Sequence, residues 1–435
     1  MTRKQWIALT WMLSCCGLSA LWGFSLVRAP ADLMIDFKGV FYDARCLFQH
    51  ADPYEVGEPL RVYLADGGPE PEPTDWGPRQ ALALDTNLPT TSVFIAPFAM
   101  LPWGTAQLLW TILTVGSLIV AAFLMWNLGA NYAPLLSGTL ICFVLANTEI
   151  FFPCGNTAGI VISLCMVAVW CFLRERFVWA GILCLAVSLA IKPHDAGFVW
   201  LYFLLAGKVH RKRALQTLLI AAVLGLAAIA WVTPIAPHWM QELHSNIAAH
   251  QLPGGVDNPG LANATNRGPI IIIDLQSTVS VFRNDPRIYN SVSYLVCGTL
   301  LLVWAIRALR SRFSQTSAWF ALAAVVPFTL LVTYHRPYDA KLLMLAVPAC
   351  AMLWAKCGST RWLALLVTSA GFAFTGDMSL TILDLHTKNL HISTAELSGQ
   401  LLTVVLTRPT QLALLAMGIF YLWIYMRYEP ERAQP

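Results

Sequence analysis

Apolar runs separated by short polar segments recur from one end of the 435-residue chain to the other. A helix of about 20 apolar residues crosses a bilayer, so runs of this length and spacing predict a bundle of membrane helices. About twelve spans are predicted, near 5–27, 104–126, 132–151, 157–173, 177–191, 195–207, 214–232, 291–309, 317–334, 341–355, 361–376 and 409–426. The first follows Arg3 and Lys4 and lacks a small-residue cleavage site, so it reads as a retained helix rather than a leader peptide. The pair 177–191 and 195–207 is the shortest and reads as two spans or as one broken or re-entrant helix. The expected fold is an all-α polytopic membrane protein, with 1–435 a single integral membrane domain.

Composition agrees with the pattern: 57% of residues are hydrophobic and 12% charged, against about 25% charged in a soluble domain. Charge then orients the bundle. With the N-terminus inside, the connections on that side carry Arg3, Lys4, Arg174, Arg176, Lys208, Arg211, Lys212, Arg213, Arg307, Arg310, Arg312, Lys356, Arg361, Arg427 and Arg432. Only Glu175, Glu429 and Glu431 oppose them, which places both termini in the cytoplasm of a bacterial-type plasma (inner) membrane. The long segments 28–103, 233–290 and 377–408 then lie outside. The inside connections are short and hold no Gly-rich phosphate loop, which argues against ATP, nucleotide-sugar or nucleic-acid chemistry. Most of the 11 cysteines sit in apolar runs, where a thiol behaves as a small hydrophobe. Cys46 and Cys154 are the pair placed to meet outside. No Cys/His spacing indicates a metal, and no metal or separate cofactor is expected.

The outside segments hold the reactive residue types. From Asp32 to His50, apolar positions recur at helical spacing, which predicts an amphipathic helix on the membrane surface. Asp36 stands at its start and Asp43 two turns on; each is a candidate general base, while Asp36 equally suits a helix cap. Asp52-Pro53-Tyr54 reads as the turn that ends the helix. The proline-rich stretch from Asn87 to Trp103 reads as an irregular segment lining a cavity. Lys192, followed by Pro193, His194 and Asp195, is a snorkelling anchor or a lipid-phosphate ligand. His335, Arg336 and Lys341, with Tyr338 and Asp339 between them, form the densest polar cluster and suit a phosphate clamp, with Asp339 orienting His335 or Arg336. The histidines at 238, 244 and 250 are spread along a long outside segment and read as solvated loop or acceptor surface rather than metal ligands.

Taken in order, these segments resemble a known family. The chain reads Asp-Phe-x-x-x-Phe-Tyr-x-Ala-Arg…Asp-Pro-Tyr over 36–54, then Asn-Leu-Pro-Thr-Thr from Asn87, Gly155-Asn156 before a span, Ile-Lys-Pro ending at Pro193, and His-x-x-Tyr-Asp over 335–339. This order resembles glycosyltransferase family 87, the polyprenyl-phosphate-mannose-dependent mannosyltransferases of the GT-C superfamily. Leu88-Pro89-Thr90 stands where many members carry Tyr-Pro-Pro, and Cys154-Gly155-Asn156-Thr157 where many carry Gly-Gln-x-Asn. The resemblance implies an inverting transfer of a hexose, mannose in the family, from a polyprenyl-phosphate donor to a hydroxyl of a lipid or glycan acceptor. It implies Asp36 as the general base and Lys192, His335 and Arg336 at the donor phosphate. It leaves Asp43, Asn87, Asn156, His194, Tyr338, Asp339 and Lys341 as substrate-binding candidates. The expected partners are the bilayer, the lipid-linked donor and the acceptor. A transporter or flippase is the alternative, but it calls for polar residues within the spans and often for inverted repeats; here the polar clusters fall at outer helix ends. A phosphoryl or acyl transferase is the third option, and the former lacks a metal-binding carboxylate cluster.

Overall fold

In a computed structural model of the protein, the described residues are 2–12, 34–71, 76–148, 154–253, 255, 257–260, 272–356, 358–376, 379, 382, 383 and 396–428. The expected first span and most of the last outside segment therefore fall largely outside the described residues. Among those described there is no strand. The helices are α1 (Ile35–Phe48), α2 (Glu58–Ala65), α3 (Trp76–Ala83), α4 (Pro89–Ala99), α5 (Trp103–Gly129), α6 (Pro134–Ala146), α7 (Ala158–Arg174), α8 (Val178–Ile191), α9 (Pro193–Leu205) and α10 (Lys208–Val232). They continue with α11 (Trp239–Gln251), α12 (Leu275–Phe282), α13 (Pro286–Arg310), α14 (Gln315–Val332), a 3₁₀ run (Asp339–Ala346), α15 (Val347–Ala355), α16 (Ser359–Phe374), α17 (Leu397–Thr407) and α18 (Pro409–Arg427).

Local chemistry explains many of these starts. Proline opens α4, α6, α9, α13 and α18, where its fixed φ and missing N–H cost nothing. Asp274 and Asp285 cap α12 and α13 by accepting the Ser277 and Arg287 N–H groups, each at 2.9 Å. Among the described residues five helices, within α5, α10, α13, α14 and α18, are long and apolar enough to cross a membrane. The chain is thus an all-helical membrane protein, and the expected count of about twelve spans is not reproduced by length and composition alone. Helices α6, α7 and α8 are apolar but shorter. The innermost helix is α14, buried from Ser317 to Leu331 and packed against α9, α13, α18 and the 3₁₀ run. By contrast α10 and α13 leave apolar side chains such as Leu219, Leu226, Leu295 and Leu302 on the outer surface, as lipid-facing helices do.

Three elements differ from their sequence expectation. The helix around Asp36 runs Ile35–Phe48, inside the expected limits, but it is no surface helix: ten of its residues are buried. Phe37 stacks on Trp110 at a centroid distance of 4.6 Å, and Lys38 lies 5.5 and 5.7 Å from the rings of Tyr63 and Trp103. Arg45 pairs with Asp66 at 2.9 Å. Polar residues that suggested a wet face are thus paired inside the protein. The second difference is the stretch from Asn87, which is an ordinary helix (α4) opened by Pro89 and tolerating Pro97 in its last turn. Thirdly, the expected span 341–355 is divided between the 3₁₀ run and α15. A 3₁₀ helix rises about 2.0 Å per residue instead of 1.5 Å, and this run starts at Asp339 while every residue in it is buried. Lys192 alone separates α8 from α9, so the shortest expected pair is a helix broken at one residue. Cys46 and Cys154 are not joined by a disulfide.

Candidate active site

The site begins where α1 begins. Met34 adopts φ 61° and swings the chain into α1, putting Asp36 in the first turn. Asp36 is not a cap: its Oδ2 accepts a hydrogen bond from Asn156 Nδ2 at 2.7 Å. Asn156 is held in turn by its neighbours. Its Oδ1 accepts the Ala158 N–H at 2.9 Å and the Lys192 ammonium at 3.2 Å. Gly155 makes this geometry possible, since φ is +61° there and a Cβ would stand 2.9 Å from Phe37 Cβ. Trp110 Nε1 fixes the same turn by donating to the Gly155 carbonyl at 2.8 Å.

Lys192 sits at the break between α8 and α9 and points into a nest of carboxylates. Its Nζ lies 2.9 Å from Asp339 Oδ1 and 3.6 Å from Asp195 Oδ2. Asp339 Oδ2 accepts the Arg336 backbone N–H at 2.8 Å, which folds the 335–339 turn around the lysine. His335 is fully buried behind it: Nδ1 donates to the Thr333 carbonyl at 2.8 Å and Nε2 lies 3.3 Å from Asp195 Oδ1. Burial disfavours the imidazolium, but the Asp195 carboxylate outweighs burial and holds the His335 pKa above its ordinary value. Arg336 donates from Nε to the Tyr334 hydroxyl and from Nη2 to Asp257 Oδ1 at 3.1 Å. The result is one connected polar chain from Asp36 to Asp257, assembled from segments more than 200 residues apart in sequence.

This chain lines a cavity of about 530 Å³ bounded by the start of α1, residues 86–88, Asn156, the Lys192 break, α11 and the turn after α14. A second cavity of about 550 Å³ is almost wholly apolar and lies between α8, α9 and α10. Leu88, Pro193, His194 and Thr333 line both, so the two spaces adjoin. Desolvation by burial raises the Asp36 pKa, opposed by the Asn156 hydrogen bond and by the Arg336 and Lys192 charges. A carboxylate poised this way can take a proton from a hydroxyl at higher pH than a solvated one.

Of the residues expected from sequence, Asp36, Asn87, Asn156, Lys192, His194, Arg336 and Tyr338 line the polar cavity. His335 and Asp339 stand behind Lys192 and are buried to 0% and 1% exposure. Lys341 is placed away from the cavity lining, its ammonium bonded to the Asn147 carbonyl. Asp43 is also elsewhere, buried where its carboxyl faces that of Asp85. Sequence reasoning missed Asp85, Asp257 and Tyr334 and set His250 aside, because nothing in their local sequence marks their partners. His194, Asp195 and His335 bring potential ligand atoms to within 4.8 Å of one another, the arrangement a metal ion would use; Lys192 already sets a cation beside that aspartate.

The Asp43–Asp85 pair has its own pH signature. Burial raises both pKa values, that of Asp85 to about 7, and the two charges repel. The folded state therefore holds a proton that the unfolded chain, with ordinary carboxylates, releases near pH 4. Stability from this pair is present below that value and is lost as pH rises through about 7. Asp43→Asn is expected to weaken the pH dependence, leaving the part that burial of Asp85 contributes, and to raise the melting temperature at pH 8 by roughly 2–4 °C. Scanning calorimetry in detergent from pH 5 to pH 8 measures it; an unchanged slope counts against proton sharing.

The sequence matches glycosyltransferase family 87 over residues 86–333, more than half of the chain. The matched region includes Asn87, Asn156, Lys192 and His194, and Asp36 and the 335–339 turn lie on either side of it. No curated protein and no solved structure matches.

Proposed function

The chain belongs to glycosyltransferase family 87, and from that premise we propose an inverting, GT-C-type membrane enzyme that moves a hexose from a polyprenyl-phosphate donor to a hydroxyl of a lipid or glycan acceptor. Mannose is the hexose proposed, and the extracytoplasmic face of the plasma membrane, with both termini cytoplasmic, the place. The observation that carries this reading is the junction of the two cavities. A polar chamber holding two carboxylates and two cations adjoins an apolar groove walled by α10, whose other side is lipid-facing. That shape suits one molecule with a sugar-phosphate head and an isoprenoid tail.

In this scheme the donor phosphate lies against Lys192 and Arg336, and its sugar lies toward Asp36. Asp36 takes the proton of the acceptor hydroxyl as that oxygen attacks the anomeric carbon. The bond from that carbon to the phosphate oxygen breaks on the opposite face, with inversion. Polyprenyl phosphate leaves with the bonding electrons, and the fixed cations meet its growing negative charge. His335 acts through Asp195, keeping the carboxylates around Lys192 compensated.

The test is transfer by the purified protein from a panel of radiolabelled polyprenyl-phosphate sugars, with mass spectrometry of the product. Transfer of mannose with inversion is expected; no transfer from any lipid-linked sugar overturns the reading. The groove has its own check. Gly225 lines the groove and a Cβ there would meet nothing within 4 Å, so Gly225→Trp puts a bulky side chain at the groove wall. The KM for a long-chain donor then rises about tenfold, the loss of roughly two buried methylenes, while a donor with one or two isoprene units is unaffected.

A further inference from the structure

Among the described residues, one buried ring nitrogen on the wall of the polar cavity has no hydrogen-bond partner. His250 stands in the last turn of α11, 7% exposed, and lines the cavity. Its Nδ1 lies 3.1 Å from Asp257 Oδ2. An ionised carboxylate only accepts, so Nδ1 carries a proton, and in the neutral form of such a ring Nε2 keeps a lone pair. Nε2 is buried and makes no hydrogen bond among the described residues. An unsatisfied buried polar atom is costly, because it has given up its hydrogen bond to water, and such atoms in native proteins call for an explanation.

The pose is built by the chain that follows. Asp257 N–H donates to the His250 carbonyl at 3.1 Å, Gly255 N–H to the Leu252 carbonyl at 2.7 Å, and Asn258 Nδ2 to the Gln251 carbonyl at 2.6 Å. A Cβ on Gly255 would stand 2.2 Å from the His250 carbonyl oxygen, so the turn closes only with glycine. The other oxygen of Asp257 accepts from Arg336, so a single carboxylate orients both the imidazole and the cation beside it. Ile247 and Leu243, one and two turns earlier on α11, line the same wall. The wall therefore carries an apolar strip that ends at His250, whose Nε2 is buried and unpartnered among the described residues. A sugar ring, with a C–H face and hydroxyl edges, is complementary to it.

We propose that His250, oriented by Asp257, is a sugar-binding residue whose Nε2 accepts a hydrogen bond from a hydroxyl of the glycosyl substrate while Ile247 and Leu243 pack on the ring. The proposal rests on the glycosyl-transfer reading of the same cavity and adds a residue that the 36–54 and 335–339 motifs do not contain. The hydroxyl belongs either to the donor hexose or to a sugar of the acceptor, and the experiment separates the two.

Diethyl pyrocarbonate labels an imidazole nitrogen that has a free lone pair. In the full-length protein in detergent, His250 is expected to be carbethoxylated, read by peptide mass spectrometry. Saturating polyprenyl-phosphate mannose suppresses this labelling at least fivefold if the hydroxyl is the donor's; an alkyl mannoside suppresses it if the hydroxyl is the acceptor's. His250→Ala then raises KM for the protecting substrate about tenfold, one lost hydrogen bond, and His250→Gln, which keeps an acceptor oxygen, raises it less. An unlabelled His250 in the free protein overturns the proposal, and so does equal labelling with both substrates present in a protein that transfers sugar. If no sugar is transferred but a mannoside protects His250, the transfer reading falls and this binding site stands. Absence of both transfer and protection overturns both.

Discussion

Asp36→Asn is expected to leave the protein folded, with donor binding intact, and to lower sugar transfer by about a thousandfold, within the range of a lost general base. The substitution is nearly isosteric, and an amide can still hydrogen-bond Asn156 once that side chain turns over. What it loses is the ability to take a proton. The pH profile provides the second reading. The base works only when ionised, and burial raises its pKa above the ordinary carboxylate value of 3.8. In the wild type, kcat/KM therefore falls as pH is lowered through that raised value. Full activity in Asp36→Asn, or an acid limb at the pKa of a solvated aspartate, would remove Asp36 from the mechanism. Binding of a radiolabelled donor to the variant separates a chemical defect from an empty cavity.

The other large effect is expected at Lys192. Its ammonium compensates two buried carboxylates, Asp339 and Asp195, and steadies Asn156. Removing one member of a buried pair leaves an unpaired charge and costs about 3–5 kcal/mol. Lys192→Met therefore loses both stability and transfer. The two losses are separable. Adding Asp339→Asn removes a carboxylate along with the ammonium, so Lys192→Met/Asp339→Asn regains much of the melting temperature. Transfer stays at least a hundredfold down, because the cation facing the donor phosphate is gone. Thermal unfolding in detergent and the lipid-linked sugar assay report the two quantities. A double variant that regains transfer would show that Lys192 acts only on the fold.

The sequence located the candidate site unevenly. Asp36, Lys192 and the 335–339 turn were legible because the distribution of arginine and lysine assigns them all to outer helix ends, and because their order resembles that of a family. The character of α1 was not. Its Lys38, Asp43 and Arg45 suggest a wet face, yet each finds a partner supplied by a distant segment: aromatic rings at 63 and 103, the carboxyl of Asp85, and Asp66. Helix α17 was missed because residues 397–407 are short for a span and fall within the segment read as the last outside loop; Arg408 divides it from α18, which Pro409 opens. His250 was set aside because histidines spread over a long segment have no periodicity to connect them. Its partner is only seven residues away, but the turn that joins them is closed by a contact at Gly255 that no residue pattern announces.

The sequence by itself determined that this is a helical membrane protein with its reactive residues gathered at helix ends. Those properties follow from hydropathy and charge, which each residue brings whatever its neighbours are. Only the tertiary structure decided which polar groups face substrate space and which stand behind. His335 and Asp339 are buried supports, Lys192 and Arg336 face the cavity, and Asp43 turns away toward Asp85. The reason is that a charge in a low-dielectric interior is tolerated only beside a partner, and the partners here come from segments as far apart as Asp36 and Asn156, or Lys192 and Asp339. Pairing over such distances is a property of the packed helices, and no stretch of the chain contains it.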